Sequence, residues 1–379
     1  MKKIAINALT IDPNPSGGKT YLVNLVKNLT STAGDSYLFY LLIIGDCTSI
    51  FSESLGNNNA RLIKLPKYVR HPIFRVLVEQ LYLPIWLWNQ KIDLLFAARN
   101  VMPLLTNCPT VIGVLSMHLN YEKEDLPIFR RIYGSWILRA TAKRAEAYVA
   151  ISKYSGETYI TKYGLDRNRL FIAPLGFDDK ELRISDFDHP PPIESPYILF
   201  VSTLFPHKNV AFLIRLFRRV IDSRPDLQLV IVGQDVDGAI SSFIALADSL
   251  GIKAKVDFTG GISDNELMRW YANARVFVFP SLTEGFGLSV LEAMAFGVPV
   301  VASNRTSIPE VVGDAGIILD PVDEDEWAQA ILSIINNDEE RARFSRLSRE
   351  RAGLYSWKRT AQVALDCFNQ VLDKSNNQE

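Results

Sequence analysis

The residues that most constrain this chain run from 276 to 295. Val276, Phe277, Val278 and Phe279 form a short run of β-branched and aromatic residues. That composition suits a strand buried on both faces of a parallel sheet. Pro280 and Ser281 follow, and then Glu284-Gly285-Phe286-Gly287. From Leu288 the apolar period changes, with Leu288, Leu291 and Ala295 falling on one side of a helix. Strand, glycine-containing turn and helix in direct succession make the βα unit of an open α/β sheet. In such sheets ligands bind outside the carboxyl ends of strands, beside the helix starts. Gly285 and Gly287 let the backbone come close to a ligand. The first N–H groups of the helix can donate to hydroxyl or phosphate oxygens. Glu284 lies in the turn and Glu292 about one turn inside the helix, so two carboxylates are held at one ligand at different depths. Two bare glutamates at this spacing also fit an ordinary βα unit with solvated acids.

A chain of 379 residues is long enough for two domains, each with its own core. No apolar run reaches the roughly 18 residues of a membrane span. Residues 1–11 begin with two lysines but run into Asp12-Pro13 after too short an apolar stretch for a signal peptide; they read as a first strand. Cys47, Cys108 and Cys367 are odd in number and far apart. They predict neither a disulfide framework nor a zinc site, and they fit a reducing cytoplasm. The net charge of −1 hides an asymmetry. Residues 1–185 hold 23 Lys+Arg against 15 Asp+Glu; of the totals of 41 and 42, that leaves 18 and 27 for residues 186–379. A basic half beside an acidic half suggests that one half faces anions, either phosphate substrates or an anionic membrane surface. No nucleic-acid module accompanies the basic half.

Both halves show a βα rhythm. Strands are expected at 3–9, 37–44, 61–65, 92–97, 110–115, 148–152 and 170–177. A glycine pair, Gly17-Gly18, separates the first strand from a helix over 20–29. Such a pair can cradle a phosphate or simply make a tight turn. Residues 76–88 read as a core helix broken at Pro84, with a membrane-facing role as the alternative. Residues 129–146 carry Arg130, Arg131, Arg139, Lys143 and Arg144 among aromatic and aliphatic residues. They form either a surface helix with one buried face or a basic helix lying on an anionic bilayer. Residues 186–196, with Pro190, Pro191, Pro192 and Pro196, read as an interdomain linker. Beyond it, strands are expected at 197–201, 227–232, 256–259, 276–279 and 298–302. Helices are expected at 264–274, 308–312, 326–335, 340–355 and 357–372, with Asn209 an N-cap. The domains are then 1–185, 197–355 and a last helix within 356–379. Two α/β halves with parallel sheets follow from this pattern alone.

Glu284 and Glu292, with Gly-Phe-Gly between them, Pro280-Ser281 before them and Ala293-Met294-Ala295-Phe296-Gly297-Val298-Pro299 after them, resemble the signature of retaining glycosyltransferases of family GT4. The resemblance implies the GT-B fold: two facing Rossmann-like domains with a cleft between them, the last helix crossing back to the first domain. It implies catalytic roles for Glu284, beside the donor sugar, and for Lys208, on the donor diphosphate. Glu292 would accept hydrogen bonds from the ribose hydroxyls. Gly17, Gly18, Ser202, Thr203, Ile262, Gly285, Phe286, Gly287 and Leu288 would line the donor, Ile262 at the base. On the acceptor side the family often has a His-Asp pair. Here His118 stands offset by about two places with no Asp after it, so either His118 or Ser116 occupies that site. The family's second phosphate-binding cation, an arginine, is replaced by Ser202-Thr203 and His207.

The implied activity is metal-independent transfer of a sugar from a nucleotide donor to a glycan or lipid-linked acceptor in surface polysaccharide or glycolipid assembly. The segment Pro309-Glu310-Val311 with Gly313-Asp314-Ala315-Gly316 is similar to mannosyltransferase-like members, which points to GDP-mannose ahead of UDP- or dTDP-sugars. No separate cofactor is implied. The expected place is the cytoplasm, peripheral on the inner face of the plasma membrane. The alternatives are a sugar-nucleotide-binding subunit without turnover and a GT-B sugar-nucleotide epimerase.

Overall fold

The computed structural model describes residues 1–11, 13, 16–52, 59–115, 128–177, 193–236 and 238–376. The chain divides into two compact units, Met1–Gly176 together with Trp357–Glu379, and Phe177–Ser356. The division after Gly176 falls earlier than residue 185. Phe177 goes with the second unit because its ring packs edge-on against Phe296, 6.0 Å away. Most of the expected linker lies outside the described residues.

The first unit is built on β1 (Lys2–Asn7), β2 (Tyr37–Ile44), β3 (Ala60–Leu65), β4 (Leu94–Ala97), β5 (Thr110–Val114), β6 (Ala147–Ala150) and β7 (Leu170–Ile172). They form one parallel sheet in the order β3-β2-β1-β4-β5-β6-β7. Among its helices, α1 (Gly17–Ala33) starts where Ser16 accepts a hydrogen bond from the Lys19 N–H, 3.2 Å, and ends at Gly34. Then come α2 (Thr48–Ser52), α3 (Pro72–Leu77), α4 (Leu83–Gln90), α5 (Ile128–Arg144) and α6 (Lys153–Tyr163). Between α3 and α4 the residues Val78–Tyr82 widen into a π turn, so 72–90 is one continuous helical run. Pro84 accounts for it. A proline ring has no N–H and presses on the carbonyl four residues back, and a wide turn accommodates both. The expected core helix is therefore unbroken, and only one of its sides is buried: Leu83 and Leu87 are inside, while Leu81, Ile85 and Trp88 are exposed.

The second unit contains β8 (Tyr197–Val201), β9 (Gln228–Val232), β10 (Val256–Gly260), β11 (Val276–Phe279), β12 (Val300–Ser303) and β13 (Ile317–Leu319). Its parallel sheet has the order β10-β9-β8-β11-β12-β13. The helices are α7 (Val210–Ser223), α8 (Ile240–Ser249), α9 (Asp264–Asn273), α10 (Leu288–Ala295), α11 (Ile308–Val312), α12 (Glu324–Ile335) and α13 (Asp338–Ala352). The last helix, α14 (Trp357–Asn376), returns to the first unit. Leu365, Phe368 and Leu372 are buried there, and Phe368 meets Phe96 with ring centroids 5.4 Å apart. The six strands from β8 on, like the first six of unit 1, follow the doubly wound order in which the chain reverses direction beside the first strand. Each unit thus has one switch point, between β1 and β4 and between β8 and β11.

Among the described residues no helix is long and apolar enough to cross a membrane. The three cysteines are free and buried. Glu79, in the π turn, is buried as well, and Asn7 donates to its Oε1 at 3.3 Å. Loss of solvent pushes its carboxyl above the ordinary carboxylate range, against the opposing pull of Arg75 and of the Asn7 hydrogen bond. The folded state therefore keeps a proton that the unfolded chain has released. Stability falls as pH rises from the unfolded carboxylate value through the raised folded one. A Glu79→Gln variant is expected to melt higher than the parent at pH 8, by about 2–4 °C for each kcal/mol recovered, with the gap closing toward pH 4. Equal melting temperatures at pH 8 contradict this assignment.

Candidate active site

The switch point of the second unit gathers Ser202, Thr203 and Lys208 after β8 with Glu284, Gly285, Phe286, Gly287 and Leu288 after β11. After β8 the chain turns through Ser202 and Thr203 into a short 3-10 turn, Pro206–Lys208. Asn209 follows in the left-handed region, with φ 59°, before α7 begins. It occupies the expected N-cap position but does not cap with its side chain. Its Nδ2 instead donates to the Pro280 carbonyl at 3.3 Å, tying this turn to the end of β11. The Leu282 N–H donates to the His207 carbonyl at 2.8 Å and closes the same seam.

These ties aim Lys208 at the glutamate loop. Its Nζ lies 2.5 Å from Glu284 Oε1, and both side chains are nearly enclosed, 13% and 12% exposed. The ammonium also stands 5.4 Å from the centre of the Phe279 ring. An ion pair this enclosed feels a lower effective dielectric than a surface pair. Ser202 and Thr203 line the base of the turn. Gly233 beside them has φ 155°, and a Cβ there would lie 1.7 Å from the Ser202 carbonyl oxygen. Only glycine lets β9 pass this close to β8. His207 stacks on Phe205, with ring centroids 5.7 Å apart.

The loop carrying Glu284 is held from the next βα unit. The Glu284 N–H donates to Thr306 Oγ1 at 2.9 Å, and Ser307 Oγ donates to the carbonyls of Glu284 and Phe286 at 3.0 and 3.1 Å. Thr306 has φ 56°. A left-handed β-branched residue costs on the order of 1–3 kcal/mol and persists only where its surroundings hold it. Gly287, with φ 105°, precedes α10, and a Cβ there would meet Ile308 Cδ1 at 2.6 Å. The Phe286 ring turns inward onto Tyr355, 5.8 Å away. The N–H groups that open α10, at Leu288 and Ser289, precede the point at which intrahelical acceptors begin.

Glu292 is half-buried on α10, and the Tyr271 hydroxyl of α9 donates to its Oε2 at 2.9 Å. Burial first, and then the carboxylate of Glu292, push the Tyr271 hydroxyl far above the ordinary phenol range, so it stays a donor. The two carboxylates of the motif are thus differentiated: one holds an ammonium, the other is oriented by a buried phenol. Ile262 follows Gly260-Gly261 beyond β10, at the same sheet edge, two strands from β8. The Gly233 N–H donates to the Gly260 carbonyl at 3.0 Å and joins the two strand ends.

Gly17 and Gly18 sit in the first unit, at the start of α1 and at that unit's own switch point. A Cβ on Gly18 would lie 2.7 Å from Arg99 Nη2. Arg99 follows β4 and is exposed, so a guanidinium stands against Gly18 at the amino end of a 17-residue helix. Sequence reading missed Arg99, Thr306, Ser307 and Tyr271, because each acts on a partner distant in the chain. His118 and Ser116 lie outside the described residues. Asp235 accepts from the Ala239 and Ile240 N–H groups at 2.8 and 3.2 Å and so holds the turn into α8.

Two family profiles divide the chain between them: "Glycosyltransferase Family 4" matches residues 15–181 and "Glycosyl transferases group 1" matches residues 183–351. The chain is 29% identical over 240 residues to O-antigen chain mannosyltransferase B of Escherichia coli, covering 61% of this chain and 62% of that protein. It is 30% identical over 252 residues to the MMP alpha-(1->4)-mannosyltransferase of Mycolicibacterium hassiacum, covering 65% and 59%. The matches therefore span about three-fifths of the length of these relatives. Among solved structures, Anabaena Alr3699/HepE in complex with UDP superposes with a TM-score of 0.75 at 16% identity, covering 98% of this chain and all of that one. WaaG, a glycosyltransferase of lipopolysaccharide biosynthesis, superposes with a TM-score of 0.71 at 18% identity, covering 96% and 98%.

Proposed function

The chain belongs to the group 1, family 4 glycosyltransferases and has their GT-B fold, and from that premise we propose that it transfers a hexosyl unit from a nucleoside-diphosphate sugar to a glycan or lipid-linked acceptor, with retention of the anomeric configuration. The observation that carries the reading is the Lys208–Glu284 pair, 2.5 Å apart at the carboxyl edge between β8 and β11. A fixed ammonium at the ligand edge of a doubly wound sheet, beside the opening of α10, suits a diphosphate. Glu284 holds Lys208 in place and faces the donor sugar. Glu292, oriented by Tyr271, accepts from the ribose hydroxyls. Ser202, Thr203, Gly285, Phe286, Gly287 and Leu288 surround the phosphates and sugar, and Ile262 meets the base through its main chain. Gly17 and Gly18 present backbone N–H groups to the diphosphate.

In the reaction the bond between the anomeric carbon and the diphosphate oxygen breaks. The acceptor oxygen forms its new bond to that carbon on the same face, and the departing phosphate takes the acceptor's proton. Protein charge is then needed mainly on the leaving group. With Ser202, Thr203 and His207 in place of the family's arginine, that charge comes from Lys208 and the backbone dipoles of α10. No step requires a metal ion. His118 or Ser116 serves the acceptor side.

The mannosyltransferase relatives favour GDP-mannose, with UDP- and dTDP-sugars next. The setting is surface polysaccharide or glycolipid assembly in the cytoplasm, against the inner face of the plasma membrane. The test supplies a sugar labelled at the anomeric carbon, as GDP-mannose and as UDP- and dTDP-sugars, with membrane extract as acceptor. The expected product is a glycan or lipid carrying the label with the donor's anomeric configuration, and free nucleoside diphosphate in equal amount. Binding without release identifies a non-catalytic subunit. Acceptor-independent conversion of the sugar nucleotide identifies an epimerase.

A further inference from the structure

The first unit carries an apolar face that its own core does not cover. Ile73, Leu77, Leu81, Ile85 and Trp88 succeed one another along the helical run 72–90 on one side, and each is 47–70% exposed. Tyr68, Phe74 and Tyr82 flank this stripe and are exposed too. The other side of the run is equally apolar: Leu83, Trp86 and Leu87 pack into a core cluster with Leu95. The fold uses only one of the two sides.

The patch extends onto α5. Leu95 and Ala97 are two apart on β4 and so face the same way. Leu95 packs with the α4 cluster, while Ala97 packs with Ile137 and Leu138 of α5. The two helices therefore cover one face of the sheet side by side. The connection after β4 ties them together. Gln80 donates to the Met102 carbonyl at 3.2 Å and accepts from the Leu104 N–H at 3.0 Å, and Thr141 donates to the Asn100 carbonyl at 3.1 Å. The outward residues here, Leu105, Ile132 and Trp136, are again exposed. A contiguous exposed face of this kind marks an interaction surface.

Charge identifies what covers it. Residues 60–92 contain six Lys and Arg and one acid, Glu79, which is buried. Arg70 is taken up by Asp46 at 2.8 Å, whereas Lys67 and Lys91 are exposed, as are Arg139, Lys143 and Arg144 on α5. A symmetric contact with a second copy would bring such cations together. An anionic bilayer satisfies both parts: the aliphatic side chains enter the acyl boundary, tyrosine and tryptophan sit at the headgroups, and the cations meet lipid phosphates. We propose that the outward face of α3, α4 and α5 docks the protein on an anionic lipid surface. The proposal deepens the membrane setting of the function above and uses no residue of the donor site.

The test is co-sedimentation of the full chain with phosphatidylcholine vesicles, with and without phosphatidylglycerol, beside a Leu81→Ser/Trp88→Ser variant. Both side chains are exposed, and the variant's melting temperature checks that it folds. The expected result is partitioning onto phosphatidylglycerol vesicles at least tenfold stronger than onto phosphatidylcholine alone, weakened by salt, and at least tenfold lower in the variant. Absence of binding, equal binding to both vesicles, or undiminished binding by the variant overturns the proposal. So does a solution dimer that the substitutions split while vesicles are ignored, which assigns the face to a second copy. The vesicles hold neither donor nor acceptor, so failure here leaves the transferase reading intact, and failure of donor binding leaves this result standing.

Discussion

Lys208→Ala is expected to slow sugar transfer by about two to three orders of magnitude at saturating donor, the cost of removing one aimed electrostatic stabiliser, on the order of 2.7–4 kcal/mol. The size follows from how few cations the turn has. From Ser202 to Val210 the only basic side chains are His207 and Lys208, and His207 is stacked on Phe205. Lys208 Nζ lies 2.5 Å from Glu284 and over the Phe279 ring, so in the proposed role it would meet the developing charge without a search through rotamers. The substitution also strands Glu284 as an enclosed carboxylate, which lowers stability. A melting measurement and a donor titration on the same variant separate the two effects: donor affinity should fall less than turnover, because the lost interaction strengthens as the bond breaks. Turnover within tenfold of the parent would mean that the diphosphate does not lie at Lys208.

Glu292→Ala is expected to act the other way round. Its proposed role is to hold the nucleotide, so KM for the donor should rise by roughly 10- to 100-fold, the equivalent of losing hydrogen bonds to a charged group at about 1.5–3 kcal/mol, with kcat nearly unchanged. Tyr271→Phe should shift KM in the same direction by less, since it removes only the 2.9 Å hydrogen bond that orients Oε2. A steady-state comparison of the three proteins checks both. A fall in kcat with KM unchanged would place Glu292 at the reacting carbon.

The two parallel sheets were readable in the sequence because each strand buried on both faces spells an uninterrupted apolar run. Residues 37–44 and 197–201 match β2 and β8 at both ends. The elements missed are those with weak signals. β13 has three residues, Ile317–Leu319, too few for any period. The α6 helix did carry a signal, with Ser152 capping its start and Gly164 its end, but its apolar stripe is thin. The motif from Glu284 to Glu292 was legible because one βα unit contains it. What fixes that motif was not. Thr306 and Ser307 come from the following unit and Tyr271 from the preceding one, joined only by the order of strands. Arg99 reaches Gly18 because β4 lies beside β1, as a doubly wound order requires. The π turn at Val78–Tyr82 shows the opposite case, where Pro84 announced a disturbance but not that a widened turn would absorb it.

The most direct measurement is calorimetric titration of the protein with GDP-, UDP-, ADP- and dTDP-sugars, with Glu292→Ala beside it. Saturable binding of one donor, weakened at least tenfold in the variant, is the expected result and places the nucleotide at the switch point between β8 and β11. Absence of binding to all four donors, or equal affinity in the variant, would contradict that placement.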